Sequence, residues 1–178
     1  MHFGRCPKVM KPIRGTARTL PRDNPQDHQR SSGRDDDPYQ VTKKPPEPTG
    51  CPRCGASFTG GRWTWNTAPD DSFEQICPAC QRIEDGFPAG YVMLKGEFLG
   101  DHRDEIVALI TAKEQKEKAE RPLQRVMAIE NVRGGLQVTT TDSHLARGIG
   151  EALYDAYKGD LKLRYSRDEN LLRATWRR

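Results

Sequence analysis

Two short cysteine motifs constrain this chain of 178 residues more than any other feature. Cys51 and Cys54 form one Cys-x-x-Cys pair, Cys77 and Cys80 form a second, and 22 residues separate the pairs. Two thiolates at this spacing turn around one ion, and two such turns give the closed tetrahedral site that Zn²⁺ prefers. Because four thiolates leave no open position, we predict one structural zinc ion. A rubredoxin-type iron site is the alternative, and no redox feature of the sequence supports it.

The composition agrees with a fold that depends on a bound metal. Hydrophobic residues make up 34% of the chain, charged residues make up 30%, and the mean hydropathy is -0.86. A chain this polar either leaves a part unfolded or stabilises a small part by something besides a core. Paired cysteines without an apolar signal segment indicate metal binding rather than disulfides, so we expect a cytoplasmic protein. No apolar run reaches the roughly 18 residues of a membrane span, so no membrane association is predicted.

Positive charge is concentrated at the two ends of the sequence. Residues 1–50 contain 10 Lys/Arg and 6 Asp/Glu, and residues 161–178 contain 6 and 2, so each segment carries +4. The whole chain is also +4 (29 minus 25), which leaves −4 for residues 51–160. Two basic ends on an acidic middle predict a polyanionic partner that is contacted at both ends.

Residues 1–50 are predicted to be a tail that is disordered in the unbound protein. They contain 8 of the 13 prolines and no run with helix or strand periodicity. The tail is either a solvated segment without a function or a basic arm that becomes ordered on RNA or DNA, since its cations replace phosphate counterions. Its candidate RNA-binding residues are Arg5, Lys8, Lys11, Arg14, Arg18 and Arg22.

The remainder predicts an α+β fold in three parts: a zinc ribbon at 51–100, a connecting helix at 101–121 and a small domain at 122–178. Asp101 is the predicted N-cap of the helix, and Pro122 stops it. We expect the apolar first half of the helix to pack on the zinc module and the charged second half to be a solvated strut. The apolar stripe of the first half is Ile106, Leu109 and Ile110.

The pattern of the small domain predicts the order β-β-α-β-β. Arg133, Gly134 and Gly135 form the first hairpin turn, and the helix is capped at Thr141 or Asp142. Alternate residues of the last two strands are apolar, which places one set against the helix. These inward residues are Leu161, Leu163, Tyr165, Leu172, Ala174 and Trp176.

One helix covers only one face of a four-stranded sheet, so the other face should be open. A basic, hydroxyl-bearing face of this kind suits an RNA backbone, and the alternative is an ordinary solvated face. The expected face lacks aromatic side chains, which argues against sequence-specific reading by base stacking. Its expected residues are Gln137, Thr139, Lys162, Arg164, Arg173 and Arg177, of which the four basic ones are candidate RNA contacts.

Two tryptophans lie between the cysteine pairs, in the segment Gly-Arg-Trp-Thr-Trp. Trp63 and Trp65 either pack in the small core of the zinc module or form a stacking platform for nucleotides beside Arg62. Arg62 and Trp63 are therefore further candidate RNA-binding residues.

Motifs of catalysis are scarce. The sequence has neither a P-loop nor a G-x-S-x-G elbow. Asp142 and His144 suggest an acid–base pair, but an Asp N-cap followed by a first-turn His is common helix chemistry. We therefore predict that the chain is not an enzyme and has no small-molecule substrate.

Three longer segments carry a family resemblance over about residues 50–178: Gly-Arg-Trp-x-Trp, Cys-Pro-Ala-Cys-Gln-Arg-Ile and Thr-Thr-Asp-x-His-Leu-Ala-Arg. They resemble a family of short bacterial zinc-ribbon proteins. The order of parts also resembles the N-terminal zinc-binding region of the archaeal and eukaryotic adaptor that binds the large ribosomal subunit and, in eukaryotes, accompanies it out of the nucleus. The resemblance implies zinc binding by the four cysteines and affinity for ribosomal RNA or a ribosomal subunit. It does not include the adaptor's later domains, so export is not implied.

Together these features predict a cytoplasmic zinc-binding factor that contacts the ribosome through ribosomal RNA, most simply on the large subunit, in ribosome assembly, hibernation or quality control. The alternative is a zinc ribbon that acts through protein contacts, for example in transcription. An enzyme that uses Asp142 and His144 is the third hypothesis.

Overall fold

The structure is a computed structural model that describes Tyr39, residues 44–166 and residues 171–178. The six basic tail residues predicted to bind RNA lie outside the described residues. The last part of the predicted tail is described, and Thr49 and Gly50 already form a strand there. All of the described residues lie within one compact unit.

A small sheet surrounds the cysteine pairs. Its strands follow the order β3-β2-β1-β4, with β1 antiparallel to β2 and parallel to β4. One short helix, α1, follows the sheet and begins directly after Cys77. These elements are β1 (Thr49–Gly50), β2 (Ser57–Thr59), β3 (Arg62–Thr64), β4 (Phe73–Glu74) and α1 (Pro78–Asp85).

A larger sheet contains most of the apolar core. Its strand order is β6-β7-β5-β9-β8, in which β5 and β9 are parallel and the other neighbours are antiparallel. The strands are β5 (Gly90–Lys95), β6 (Val126–Val132), β7 (Gly135–Thr140), β8 (Asp160–Ser166) and β9 (Leu171–Arg177). The helices that follow or join them are α2 (Phe98–Asp101), α3 (Arg103–Glu120) and α4 (Ser143–Tyr157).

The predicted order β-β-α-β-β is present as β6, β7, α4, β8 and β9, but the prediction of four strands is wrong. A fifth strand, β5, lies at the centre of the sheet between β7 and β9. The sequence analysis placed this segment with the zinc ribbon because it follows the second cysteine pair. Its two partner strands come much later in the chain, so no local pattern reveals the pairing.

The long helices α3 and α4 pack on the same face of the larger sheet. Ile106 and Ile110 of α3 are completely buried in the core that α4 and the sheet share. The prediction that they pack on the zinc module is therefore wrong. Asp101 is also wrong as the N-cap, because it ends α2, and α3 begins at Arg103.

Helix α4 follows the predicted pattern. Asp142 is its N-cap, and the Oδ1 atom accepts hydrogen bonds from the backbone N–H groups of His144 and Leu145 at 2.8 and 3.1 Å. Because α4 crosses β5 very closely at Gly90, a Cβ atom there would lie 2.4 Å from the Cβ of Ala146. No side chain other than hydrogen fits this crossing without displacement.

The edge strand β8 differs from its predicted burial. Leu161 packs against the core, but Leu163 and Tyr165 are 37% and 54% exposed. Both were predicted to point into the core. Their exposure follows from the position of β8 at the sheet edge, because α4 lies mainly over the central strands β5 and β9. In β9 the reverse occurs at Leu171, which is not among the residues predicted to face inward and is nevertheless buried.

In the part of the chain that the structure describes, no helix has the length and apolarity that crossing a membrane requires.

Candidate metal centre and basic sheet face

The four cysteines of the two motifs come together in one cluster. The Sγ atoms of Cys51, Cys54, Cys77 and Cys80 all lie within 4.8 Å of one another, and all four residues are free thiols. The Sγ atoms of Cys54 and Cys77 are 3.7 Å apart. Four sulfurs placed ~2.3 Å from a central Zn²⁺ would be separated by about 3.8 Å, so the cluster fits one tetrahedral ion. The cluster is a candidate site for a single structural metal ion.

The first cysteine pair is closed by a tight turn. The N–H of Gly55 donates to the carbonyl of Cys51 at 2.9 Å, and Gly55 has φ 75°. This left-handed conformation favours glycine.

The second pair is built differently, because it is the start of a helix. Cys77 is the N-cap of α1, and its Sγ atom accepts the N–H of Cys80 at 3.5 Å. Pro78 occupies the first helical position, where its missing N–H costs nothing. Gln81, the residue after the second pair, lies inside this helix and therefore needs no left-handed conformation.

Arg125 connects the cysteine cluster to the larger sheet, and the sequence analysis did not single it out. Its guanidinium donates to Cys54 Sγ at 3.0 Å and to Cys80 Sγ at 3.4 Å. Its Nε atom donates to the carbonyl of Pro122 at 2.7 Å, which fixes the group in the buried interior. Arg125 directly precedes β6 of the larger sheet. Its positive charge therefore offsets part of the charge that the cysteines of the smaller sheet carry as thiolates.

The pKa values of the thiols reflect burial and this cation. Burial raises the pKa of Cys77 and Cys80, because a thiolate loses hydration there. Burial also acts to raise the pKa of Cys54, but hydrogen bonds from Arg125 and from the backbone at Ala56 outweigh it and lower the pKa to about 7. Arg125 therefore favours the thiolate form that a metal requires.

The two tryptophans have different environments. Trp63 is only 8% exposed and packs against Phe58 at a centroid distance of 5.6 Å, which favours the packing role over a stacking platform. Trp65 is 38% exposed, and its Nε1 atom donates to the carbonyl of Lys118 at 2.6 Å. The second half of α3 is therefore attached to the metal module. Arg62 is exposed on β3, an edge strand of the smaller sheet.

The predicted basic residues of the larger sheet lie on one face, which we call the open face. It is the side opposite α3 and α4, and no helix of the described residues packs on it. The register places Arg164 beside Arg173 and Lys162 beside Thr175. The open face includes Tyr91, Met93, Lys95, Ala128, Glu130, Gln137, Thr139, Asp160, Lys162, Arg164, Arg173, Thr175 and Arg177.

Strand β5 adds three side chains to the open face that the sequence analysis missed. Tyr91, Met93 and Lys95 alternate with the buried Val92 and Leu94. The expectation that this face lacks aromatic residues is therefore wrong. Tyr91 lies at the centre of the open face and is half-buried. The guanidinium carbon of Arg173 lies 5.9 Å from the centroid of the Tyr91 ring. The alternation of Tyr91, Met93 and Lys95 with apolar residues would have predicted their position on this face, had β5 been recognised as a strand.

The geometry of Asp142 and His144 is that of a helix cap. The Asp142 carboxylate is used by two backbone N–H groups, and the His144 side chain is 80% exposed at 3.4 Å from it.

Comparisons with protein-family models, curated proteins and solved structures give no match to this chain.

Proposed function

We propose that this chain is a zinc-binding protein that associates with RNA, and that the open face of the larger sheet is its main contact surface. The cysteine cluster serves as a structural site in this proposal. The ribosome is the proposed partner, through its RNA.

The charge of the open face is the observation that carries the RNA association. Three neighbouring strands contribute five basic side chains to it. The acidic residues of the same face are Glu130 and Asp160, and Asp160 pairs with Lys162 at 3.1 Å. Phosphate oxygens are the ligands that such a surface complements, because each bound phosphate releases condensed counterions. The basic residues are Lys95, Lys162, Arg164, Arg173 and Arg177.

The donor set of the cluster supports zinc as the metal. Thiolate ligands in a tetrahedral arrangement are typical of Zn²⁺, and four of them leave no position for a substrate. The apolar cluster around the cysteines is small, with Ala56, Phe58, Trp63 and Ala79 as its other buried members. Metal binding would supply the stability that this cluster is too small to provide.

The zinc proposal is tested by replacing one ligand. We expect Cys77→Ser to abolish stoichiometric zinc and to lower the midpoint of chemical unfolding, because a three-ligand site is open and weaker. Metal analysis and urea unfolding measure the two effects. Cys6→Ser is the matched control, since Cys6 belongs to neither Cys-x-x-Cys pair, and it should change neither. Unchanged zinc content and stability in Cys77→Ser would contradict the proposal.

The RNA association is tested by its dependence on salt. We expect a single-stranded oligoribonucleotide to bind with an affinity that falls as KCl rises, measured by fluorescence anisotropy. The double variant Lys162→Ala/Arg177→Ala should lower the slope of log K against log salt by about 1.4, since each lost phosphate contact removes about 0.7.

The matched control removes the same charge from the helices on the other side of the sheet. Lys116→Ala/Arg147→Ala takes two exposed basic residues from α3 and α4, and its slope should equal that of the unmodified protein. If both double variants have the same slope, the open face is not the contact surface. If the unmodified protein has no affinity for RNA at low salt, the function is not RNA association.

The second candidate function is protein contact through the metal module. Phe73, Ile83 and Phe87 are large apolar residues of this module that remain exposed, at 57%, 42% and 47%. Exposed apolar groups of this size favour a protein partner when they form a patch. The absence of any affinity for RNA or duplex DNA would favour this candidate.

A further inference from the structure

The centre of the open face differs chemically from its edge. Tyr91 lies on the central strand, with Thr139 on one side and Arg173 on the other, in direct register. Met93 is the next residue of the same strand on this face. An aromatic ring and a thioether therefore form an apolar centre next to the basic side chains of β8 and β9.

One side of the Tyr91 ring is bordered by short side chains. Thr139 of β7 is its direct neighbour, and Ala128 of β6 is the next residue in the same row. Side chains stand roughly perpendicular to a sheet, so these two short residues leave a planar group access to the ring from that side. On the other side the Arg173 guanidinium lies 5.9 Å from the ring centroid, where a cation–π contact holds the ring and leaves the Thr139 side for the base.

Apart from Lys95, the basic residues lie on the two strands that follow β5 on one side of the sheet. Neighbouring strands are about 4.8 Å apart, so the strands that carry Arg173 and Lys162 lie about 5 and about 10 Å from the strand of Tyr91. A base stacked on Tyr91 would thus place its own phosphate and the next one near cationic side chains. Both the ring and the cations would be used by a single ligand.

A duplex does not satisfy this arrangement. Bases of a duplex are stacked on one another, and a ring at the centre of a flat sheet reaches a base only when that base is unstacked. A duplex would contact the basic side chains of the edge and leave Tyr91 unused. The combination of ring and cations favours an unpaired strand.

We infer that the open face binds single-stranded RNA, with one base stacked on the ring of Tyr91 and the phosphates held by the basic residues of β8 and β9. This inference rests on the RNA association proposed above, and it adds the class of RNA and the residue that contacts the base.

The test compares an unstructured oligoribonucleotide with an RNA duplex of equal length. We expect Tyr91→Ala to weaken binding of the single strand about tenfold or more, because base–aromatic stacking is lost. Its salt slope and its binding of the duplex should stay unchanged. Tyr91→Phe keeps the ring and should bind as the unmodified protein does. Tyr154→Ala is the matched control, since Tyr154 is exposed on α4 on the other side of the sheet.

A crosslinking experiment on the unmodified protein removes any dependence on how well a variant folds. A 4-thiouridine oligoribonucleotide should crosslink on irradiation to the peptide that contains Tyr91. Crosslinks confined to other peptides would overturn the inference.

The outcomes separate this inference from the proposed function. If single strand and duplex bind equally and Tyr91→Ala has no effect, RNA association stands and base stacking is overturned. If no RNA binds, both are overturned. If poly-glutamate binds as tightly as the single strand, the surface serves an acidic protein partner and the inference is again overturned.

Discussion

The guanidinium of Arg125 links the cysteine cluster to the larger sheet, because Arg125 directly precedes β6 and donates to the Sγ atoms of two cysteines. A buried cation that donates to two thiolates lowers the net charge of a four-thiolate centre and orients its ligands. The Trp65 ring lies 5.6 Å from the same guanidinium and covers it. Arg125 is thus placed to position the four thiols for a metal ion, without being a ligand itself.

This role predicts a measurable loss of zinc affinity. We expect Arg125→Ala to weaken zinc binding about 10- to 100-fold, because the thiolates lose their hydrogen-bond donors and Cys54 loses the group that lowers its pKa. Competition with a chromophoric chelator measures the affinity. Arg121→Ala is a suitable control, since its exposed guanidinium pairs with Glu117 instead. Equal affinities in the two variants would show that Arg125 does not support the site.

Individual residues were predictable only where a local pattern exists. The cysteines were found from their spacing alone, and their Sγ atoms do come together. Arg125 has no such pattern, because its thiol partners lie 45 and 71 residues earlier. Tyr91 was missed for the same physical reason, since its neighbours on the open face belong to strands that are distant in sequence.

At the scale of secondary-structure elements, the crossing of α4 over β5 determines how closely the helix approaches the sheet. Gly90 permits this crossing because a methyl group there would also lie 2.5 Å from Thr140 Oγ1. The core residues of α4 depend on that short distance, and Leu145, Ile149 and Leu153 are all buried against the sheet.

A single added methyl group tests the crossing. We expect Gly90→Ala to lower the free energy of unfolding by about 1–3 kcal/mol, since the well-packed interior must shift to accommodate it. Urea unfolding followed by circular dichroism measures the change. Gly100→Ala is the control, because a Cβ there meets no atom within 4 Å and alanine is favoured in a helix. An equal response of the two variants would mean that the helix does not depend on close approach.

Element prediction succeeded for the hairpin of β6 and β7 and for α4, where strand alternation, a glycine turn and an Asp N-cap act within a few residues. It failed for β5, whose partners are determined by tertiary pairing. The packing partner of α3 was also predicted wrongly: the helix packs on the larger sheet and not on the zinc module. An apolar stripe shows that a helix is covered but does not identify the element that covers it.

At the scale of the whole molecule, basic surface and metal site are separate features of one compact unit. The open face belongs to the larger sheet, whereas the cysteines belong to the smaller one. A surface of this kind attracts polyanions over a distance that salt shortens.

Association with ribosomes is the whole-molecule prediction. We expect the protein to co-sediment with ribosomal particles in sucrose gradients of cell lysate at low salt and to be released at high salt. The double variant Lys162→Ala/Arg177→Ala should be released at a lower salt concentration than Lys116→Ala/Arg147→Ala. A protein that stays at the top of the gradient, from growing and starved cells alike, would contradict the ribosomal partner.

The central position of β5 also has a consequence for the order in which the chain folds. Its parallel neighbour β9 is separated from it by α2, α3, β6, β7, α4 and β8, and among the described residues β9 is the one strand that pairs with β8. During synthesis the ribosome releases β5 early, and one edge of that strand stays unpaired until nearly the whole domain has followed. Closure of such a large loop is slow compared with formation of the β6–β7 hairpin. The nascent domain therefore completes its sheet only in the last step, and until then the unpaired edge of β5 is exposed to any extended chain nearby.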